Sequence, residues 1–247
     1  MAAASQRTIP SEILTVLAAG TAEANHFLLP SQLDRKTYAM TNKVLEALGG
    51  RWDRRAGAHV FDGGDCRERL EDALDTGSYE RPDNLGWFPT PPALAQRLVD
   101  IAGDVRGKVV LEPSAGDGAI ASVLHSRGAD VRTVEIEAGR VKTLVKLLGA
   151  NNVAQGDFLA VEPFPVDLVL ANPPFARRAD IHHLTHALRF LKPGGKLVAI
   201  MGAGITFRQD ALTTAFRARL ASIELLPEGS FKASGTFVST VMVTAHG

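Results

Sequence analysis

Apolar residues follow two different periodicities between residues 87 and 247. Short apolar runs predict seven buried strands, at 108–111, 130–135, 153–155, 166–171, 196–201, 223–226 and 236–244. The segments between these runs carry apolar residues every three or four positions, which predicts helices. Alternation of strands with helices is typical of a parallel sheet that is covered on both faces. We therefore expect an α/β fold with a seven-stranded, mostly parallel sheet and helices on both faces.

Two polar residues in this region are expected to begin helices. Thr90 precedes Pro91, and proline is favoured at the first helical position. Asp180 precedes an apolar pattern that continues to Leu191. We expect each of the two side chains to cap a helix.

The N-terminal part of the chain has a different pattern. Residues 34–48 predict a helix that buries Met40 among its apolar positions. The segment 51–61 predicts a hairpin that turns at Gly57. The pattern indicates a compact unit that combines a helix with a hairpin.

Residues 77–86 contain glycine, proline and asparagine, which predicts a linker. The pattern changes character on either side of this segment. We expect two domains, a small N-terminal α+β module over residues 1–85 and the larger α/β domain over residues 86–247.

Composition excludes several classes of protein. The 27 Lys and Arg residues balance 27 Asp and Glu residues, so no overall positive charge attracts nucleic acid and any such binding depends on local patches. A single cysteine, Cys66, excludes an intramolecular disulfide framework and a cysteine-built metal site. No segment approaches the about 20 apolar residues of a membrane span, and the N-terminus lacks the pattern of a signal peptide. We expect a cytoplasmic protein that does not contact a membrane.

The predicted hairpin carries a local basic patch. Residues 35–59 contain six Lys or Arg residues against two acidic residues. Arg51, Arg54 and Arg55 could contact the phosphates of a nucleic acid, and Trp52 could stack on a base or pack inward. The alternative is a solvated basic face on a small packing domain, which a cluster this short favours slightly. If a nucleic-acid substrate is established, contacts with phosphates become the favoured interpretation.

Distinctive polar residues follow the first four strands of the predicted sheet. Glu112 begins a glycine-rich turn over residues 112–118, and Glu135 ends the second strand. Asp157 and Phe158 follow the third strand, and Asn172 ends the fourth. Ligands of open α/β sheets bind at the carboxyl ends of the strands. A carboxylate at the end of the second strand can accept hydrogen bonds from ribose hydroxyls, while Asp157 could hold an adenine amino group and Phe158 could stack on the ring.

Four motifs together resemble the class I S-adenosylmethionine-dependent methyltransferases. They are Glu-Pro-Ser-Ala-Gly-Asp-Gly at 112–118, the acidic strand end at Glu135, Gly-Asp-Phe at 156–158 and Asn-Pro-Pro-Phe at 172–175. The similarity is to the amino-group, N6-adenine branch of that class. Phe-Pro-Thr-Pro at 88–91 precedes the glycine turn, which resembles the motif order of the gamma-type DNA adenine methyltransferases, which include the TaqI-like enzymes. A Rossmann-like fold is implied for residues from 87 to the end of the chain.

The resemblance implies S-adenosyl-L-methionine as the cofactor. The residues implied to bind it are Phe88, Thr90, Pro91, Glu112, Pro113, Ser114, Ala115, Gly116, Gly118, Glu135, Ile136, Asp157, Phe158 and Asn172. The residues implied to be catalytic are Asn172, Pro173, Pro174 and Phe175.

The Asn-Pro-Pro-Phe motif suits a particular chemistry. An exocyclic amino group is a poor nucleophile because its lone pair is delocalised into the ring. The side-chain oxygen of Asn172 and the backbone carbonyl of Pro173 can each accept one N–H, which localises that lone pair towards the methyl group. Phe175 offers a face on which a base can stack. The methyl group is then transferred in line, mainly through positioning and electrostatics. A paired base would first have to be flipped out of its duplex.

Four further residues are expected to contact the substrate. Arg177 and Arg178 follow the motif and are candidates for contacts with phosphates. By resemblance, Phe231 forms the other wall of the base pocket and Lys232 meets a phosphate. We expect no metal, because His182, His183 and His186 lack acidic or cysteine partners, and we interpret these histidines as surface or groove residues.

The function predicted from these motifs is methyl transfer to N6 of adenine in DNA. The chain lacks the large C-terminal recognition domain of sequence-specific gamma-type enzymes, so we expect low sequence specificity, as in stand-alone enzymes of phages or mobile elements. One alternative is methylation of an RNA base or of a protein glutamine amide. Another is a protein that binds the cofactor without catalysis. The sequence does not distinguish a DNA substrate from an RNA substrate.

Overall fold

The computed structural model describes residues 7–30, 32–61, 66–79, 88–234 and 238–247. The predicted domain boundary at residue 85 lies outside the described residues, as do the first two residues of the strand predicted at 236–244.

The described chain alternates helices and strands. The helices are α1 (Ser11–Ala19), α2 (Arg35–Ala47), α3 (Arg67–Thr76), α4 (Pro92–Ala102), α5 (Ala119–Ser126), α6 (Ala138–Leu148), α7 (Ala179–Ala187), α8 (Gly204–Phe207) and α9 (Ala211–Arg217). The strands are β1 (Arg7–Thr8), β2 (Thr21–Glu23), β3 (His26–Leu28), β4 (Gly50–Asp53), β5 (Ala58–Phe61), β6 (Ser78–Tyr79), β7 (Val109–Pro113), β8 (Asp130–Glu135), β9 (Val153–Gln155), β10 (Val166–Ala171), β11 (Leu191–Gly202), β12 (Leu220–Leu225) and β13 (Thr240–His246).

The larger domain is built on a seven-stranded sheet in the order β12-β13-β11-β10-β7-β8-β9. The pairs among β11, β10, β7, β8 and β9 are parallel, whereas β13 is antiparallel to both of its neighbours. The predicted seven-stranded, mostly parallel sheet is therefore confirmed. The strand order reverses between β7 and β10, so the carboxyl ends of these two strands form the crevice where such sheets bind ligands.

Helices cover both faces of this sheet. On one face α4, α5 and α6 contribute Leu98, Leu124 and Leu144 to a core beneath the sheet. On the other face α7 and α9 contribute Leu184 and Phe216 to a second core. This arrangement confirms the expected Rossmann-like layers, and it exists because each sheet face carries a continuous set of apolar side chains.

The N-terminal module contains a four-stranded antiparallel sheet in the order β2-β3-β5-β4. Helices α1, α2 and α3 share a core with this sheet, which includes Leu45, Phe61 and Leu70. The predicted hairpin is confirmed, with Gly57 at a φ of +62° in its turn. Met40, predicted as buried, is 37% exposed, because the buried face of α2 passes through Thr41, whose hydroxyl donates to the Thr37 carbonyl. That prediction was wrong.

Four further local predictions need correction. Part of the predicted linker is β6, which pairs with β1. Thr90 does not cap a helix, because α4 begins at Pro92 and its N-cap is Pro91. Asp180 lies inside α7 and not before it, and its buried carboxylate accepts hydrogen bonds from the amides of Ile181 and Gly202. Helix α7 also ends earlier than predicted, at Ala187.

Candidate active site

The glycine-rich turn joins β7 to α5 at the switch in strand order. Ser114, Gly116 and Gly118 all have positive φ, at +59°, +59° and +86°. The backbone conformation of Gly118 favours glycine, and a Cβ there would also lie 3.0 Å from a methyl carbon of Leu144, which would have to shift. The turn therefore leaves backbone groups close to any ligand that lies over the N-terminus of α5.

Glu135 braces this turn from the end of β8. Its buried carboxylate accepts hydrogen bonds from the Gly116 amide at 2.7 Å and from the Glu137 amide at 2.9 Å. The guanidinium of Arg140 lies 3.6 Å away. A carboxylate can accept about four hydrogen bonds, so these two amides leave acceptor sites for a ligand. The predicted contact of Glu135 with ribose hydroxyls stays a prediction. Beside it, the side chain of Ile136 is 68% exposed.

Glu112 is a buried carboxyl group at the foot of the turn. Burial raises its pKa well above the usual value; the negative charges of Asp117 and Glu135 raise it further, and the Ala121 amide partly opposes the rise. Among the described residues, its Oε2 has no hydrogen-bond partner. An unpartnered acidic group suits a ligand that carries positive charge, as S-adenosylmethionine does. The tight glycine cradle and this carboxyl group fit the expected cofactor.

Asn172 ends β10 opposite the turn. Its Nδ2 donates to the Thr90 hydroxyl at 3.0 Å and to the Phe88 carbonyl at 3.3 Å. Its Oδ1 is buried and has no partner within the described part of the chain. Thr90 thus holds the amide in one orientation instead of capping α4. The acceptor oxygen is left for a donor that the chain itself does not supply.

Three aromatic side chains lie next to Asn172. Phe88 and Phe175 stack at 6.4 Å between ring centroids, and Phe175 meets Phe231 edge-on at the same distance. All three rings are buried, and the Ser234 hydroxyl ties the neighbouring loop to the Pro89 carbonyl. The structure therefore brings together the predicted residues Phe88, Asn172, Phe175 and Phe231. Their contacts with a base stay a prediction.

The predicted adenine contact at 157–158 needs a correction. Phe158 buries its ring in the core on the other sheet face, where the rings of His183, His186 and Phe190 surround it. The surface that would stack on adenine is therefore occupied. The exposed Asp157 carboxylate accepts the Leu159 amide at 2.9 Å.

Two of the three histidines differ from the prediction, whereas His182 is exposed as expected. His183 is buried, and burial lowers the pKa of its imidazole to about 4, so it is neutral near pH 7. The hydrogen bond between His186 Nε2 and the Val161 carbonyl ties that ring to the core. Within the described ranges, no group of three or more His, Cys, Asp or Glu side chains could hold a metal ion.

Two acidic side chains already bind the guanidinium of Arg178. Its guanidinium donates to Asp210 at 2.8 Å and to Glu71 at 3.3 Å, and its backbone amide donates to Asp75 at 2.8 Å. Its predicted role is thereby corrected. Arg177 is exposed and, like Arg178, adopts the left-handed conformation, which costs a non-glycine residue about 1–3 kcal/mol.

The remaining predicted contacts lie on the surface. Lys232 is exposed beside Phe231, and Arg51, Arg54 and Arg55 are exposed on the β4–β5 hairpin of the N-terminal module. Trp52 is 46% exposed and meets the ring of buried His59 edge-on. The structure does not place this hairpin among the residues around Asn172.

Sequence reasoning missed a buried polar cluster behind Phe175. Asp75 pairs with Arg208 at 2.7 Å, and both side chains are more than nine-tenths buried. Burial raises the pKa of Asp75 to about 6 and that of Asp180 to about 7. No sequence signal reveals this cluster, because its members come from α3, α7 and the segment after α8.

Comparisons with known proteins identify the family of the chain. Residues 93–223, more than half of the chain, match the family model described as "Methyltransferase small domain". The chain is 29% identical over 169 residues to a protein named ribosomal RNA small subunit methyltransferase A from Methanospirillum hungatei, across 63% of this chain and 65% of that protein. It is 31% identical over 124 residues to ribosomal RNA small subunit methyltransferase C from Chromohalobacter salexigens, across 46% of this chain and 37% of that protein. The chain thus spans less than two thirds of the length of either relative.

Solved structures show the same fold. The methyltransferase subunit of a type I restriction-modification system from Streptococcus thermophilus superposes with a TM-score of 0.56 and 20% identity, across 73% of this chain and 49% of that one. A Pyrococcus horikoshii protein described as an RNA methyltransferase gives 0.51 and 22%, across 68% of this chain and 88% of that one. Within the described residues, no helix is both long and apolar enough to cross a membrane. The chain belongs to the methyltransferase small domain family.

Proposed function

We propose that this enzyme methylates an exocyclic amino nitrogen of a base in RNA. The observation that carries the chemistry is the Asn172 amide, whose nitrogen is held by two acceptors while its buried oxygen has no partner in the described chain. RNA is favoured because two relatives are named as ribosomal RNA methyltransferases. The sequence-based expectation of N6-adenine in DNA is not confirmed, since the likeness to a restriction-modification subunit concerns the fold alone.

Each part of the site has a role in this reaction. S-adenosylmethionine, when bound, supplies an activated methyl group on a positively charged sulfur. The glycine turn and Glu112 would hold it at the carboxyl end of β7. Asn172 Oδ1 and the Pro173 carbonyl would accept the two N–H groups of the substrate and orient the nitrogen lone pair. Because both acceptors are fixed before the reaction, they stabilise the altered amino group without reorganisation.

The N-terminal module extends this proposal. We propose that residues 1–85 form a unit whose β4–β5 hairpin binds the RNA backbone through Arg51, Arg54 and Arg55. These side chains are exposed, and none of them forms an ion pair within the described residues. Contacts with phosphate carry no sequence information, so low sequence specificity is expected.

The test is the identity of the methylated nucleoside. The assay incubates the protein with labelled S-adenosylmethionine and with one substrate, which is ribosomal RNA, transfer RNA, DNA or a protein lysate. The products are then digested and separated. We expect label in an N-methylated ribonucleoside, with adenosine the expected acceptor. Label in a deoxynucleoside or in methylglutamine would refute the RNA assignment. An absence of transfer to every substrate would refute the proposed activity.

A further inference from the structure

We propose that Asp75 of the N-terminal module is a positioning residue for the methyl-acceptor site. Through this carboxylate, helix α3 fixes the backbone that follows Phe175. The inference rests on the proposed function of Asn172 to Phe175 as the acceptor site. It makes the N-terminal module part of the catalytic machinery in addition to any surface it offers to RNA.

The segment after Phe175 has a backbone that needs support. Arg177 and Arg178 both adopt the left-handed conformation, at φ values of +56° and +58°. Residues other than glycine keep this conformation only where their surroundings determine it. The Asp75 carboxylate supplies such a determinant, because it accepts the Arg178 amide at 2.8 Å. The turn that follows the motif is therefore held from outside its own domain.

The side chain of Arg178 reinforces the same connection. It reaches Glu71, one turn before Asp75 on α3, and Asp210 at the start of α9. One residue thus bonds to the N-terminal module through both its backbone and its guanidinium. A displacement of α3 would move this segment and the Phe175 that precedes it.

Asp75 is itself fixed in place. Its other oxygen pairs with Arg208 at 2.7 Å, and the Arg208 guanidinium also donates to the Glu71 carbonyl. A Cβ on Gly202, at the end of β11, would overlap the Asp75 carbonyl oxygen. The end of α3 therefore packs directly on backbone at the carboxyl edge of the main sheet. Such a contact allows little sliding, as a positioning device requires.

The cofactor cradle is supported separately. The Gly116 amide of the glycine turn is held by Glu135 of the same domain, and no bond from Asp75 to that turn is present among the described residues. Loss of Asp75 should therefore affect transfer to the acceptor and leave cofactor affinity intact. A residue that only stabilised the fold would affect both.

The experiment compares Asp75→Ala with a matched control, Asp167→Ala. Asp167 likewise accepts one backbone amide, of Val109 at 2.9 Å, and one cation, Lys192 at 2.7 Å, but it lies at the amino end of the sheet. We expect kcat to fall about tenfold or more in Asp75→Ala, because small displacements of reacting groups cost large factors in rate. The Kd for S-adenosylmethionine should stay within about twofold of wild type. The Asp167→Ala control should keep the wild-type kcat and the wild-type Kd.

Two further variants keep the test valid if Asp75→Ala fails to fold. Arg208→Met removes the buried cation but leaves the Asp75 carboxylate as acceptor for the Arg178 amide. Asp75→Ala in the Arg208→Met background then removes that acceptor without leaving the Arg208 charge unpaired. The double variant should lose kcat relative to Arg208→Met. Asp75→Asn, which retains an acceptor oxygen, should recover most of the rate.

Hydrogen exchange of the backbone separates this proposal from the proposed function. In Asp75→Ala, or in the double variant, amides of residues 176–180 should exchange faster while those of residues 114–118 stay unchanged. Unchanged exchange at 176–180, or equal losses of kcat and cofactor affinity, would overturn the positioning role. A wild-type protein that methylates no nucleic acid would overturn the proposed function, while the exchange data would still decide the role of Asp75.

Discussion

Asn172→Ala should separate catalysis from stability. The change removes two hydrogen bonds donated by Nδ2, to Thr90 and to the Phe88 carbonyl, which together contribute about 2 kcal/mol. It also removes the buried, unpartnered Oδ1, whose burial costs about 1–3 kcal/mol. The two effects nearly cancel, so the free energy of unfolding should change by no more than about 1 kcal/mol.

The rate of methyl transfer should respond very differently. Removing one preorganised group that stabilises a transition state typically costs about 10²–10³ in kcat. We expect that loss in single-turnover transfer from labelled S-adenosylmethionine to RNA, with cofactor affinity measured by calorimetry unchanged. Asn152→Ala is the matched control, because its Nδ2 also donates to a backbone carbonyl, that of Leu148, at the end of α6. The reasoning is refuted if Asn172→Ala keeps a third of the wild-type rate, or if it loses stability and cofactor affinity together.

Three other expectations follow from the geometry. Gly118→Ala should weaken cofactor binding several-fold. Gly149→Ala, at a positive φ with a ψ of 151° and with nothing within 4 Å of the added Cβ, should cost about 1–3 kcal/mol of stability and leave cofactor affinity unchanged. Calorimetry and thermal unfolding check both. Because burial raises the pKa of Asp180 to about 7 from 3.8, the folded state holds a proton there that the unfolded chain releases, so the contribution of Asp180 to the free energy of unfolding should fall as pH rises between these values. Asp180→Asn should remove this contribution, which the difference between wild type and variant in urea titrations at several pH values measures. Replacing Arg54 and Arg55 with alanine should weaken RNA binding and reduce its salt slope by about 0.7 per lost phosphate contact; an unchanged slope would remove the hairpin from the RNA interface.

The sheet could be predicted from the sequence because its signals are local. The strand limits at 130–135, 153–155 and 166–171 agree with the observed ones. Apolar runs and glycine turns depend on a few adjacent residues, and parallel topology then places Glu112 and Asn172 at one edge. The residues at the strand ends are therefore predictable from the sequence alone.

The directions of side chains could not be predicted in the same way. Phe158 follows β9 as expected, but its ring points into the core under α7, where three rings offer more apolar contact than the cradle. Arg178 was assigned to a phosphate because its acidic partners, Glu71 and Asp210, are distant in sequence. Asp180 has the spacing of a cap, yet the buried Gly202 amide binds its carboxylate inside the helix. Each of these outcomes depends on a contact between separate elements.

The position of β13 has a consequence for how the enzyme is made. This strand, at residues 240–246, lies between β11 and β12 and hydrogen-bonds to both. Since a ribosome adds residues from the N-terminus, β12 exists before the strand that joins it to the sheet. Domains fold as units once their chain is available. If the proposed function holds, the nascent protein should therefore remain unable to methylate until β13 has been synthesised.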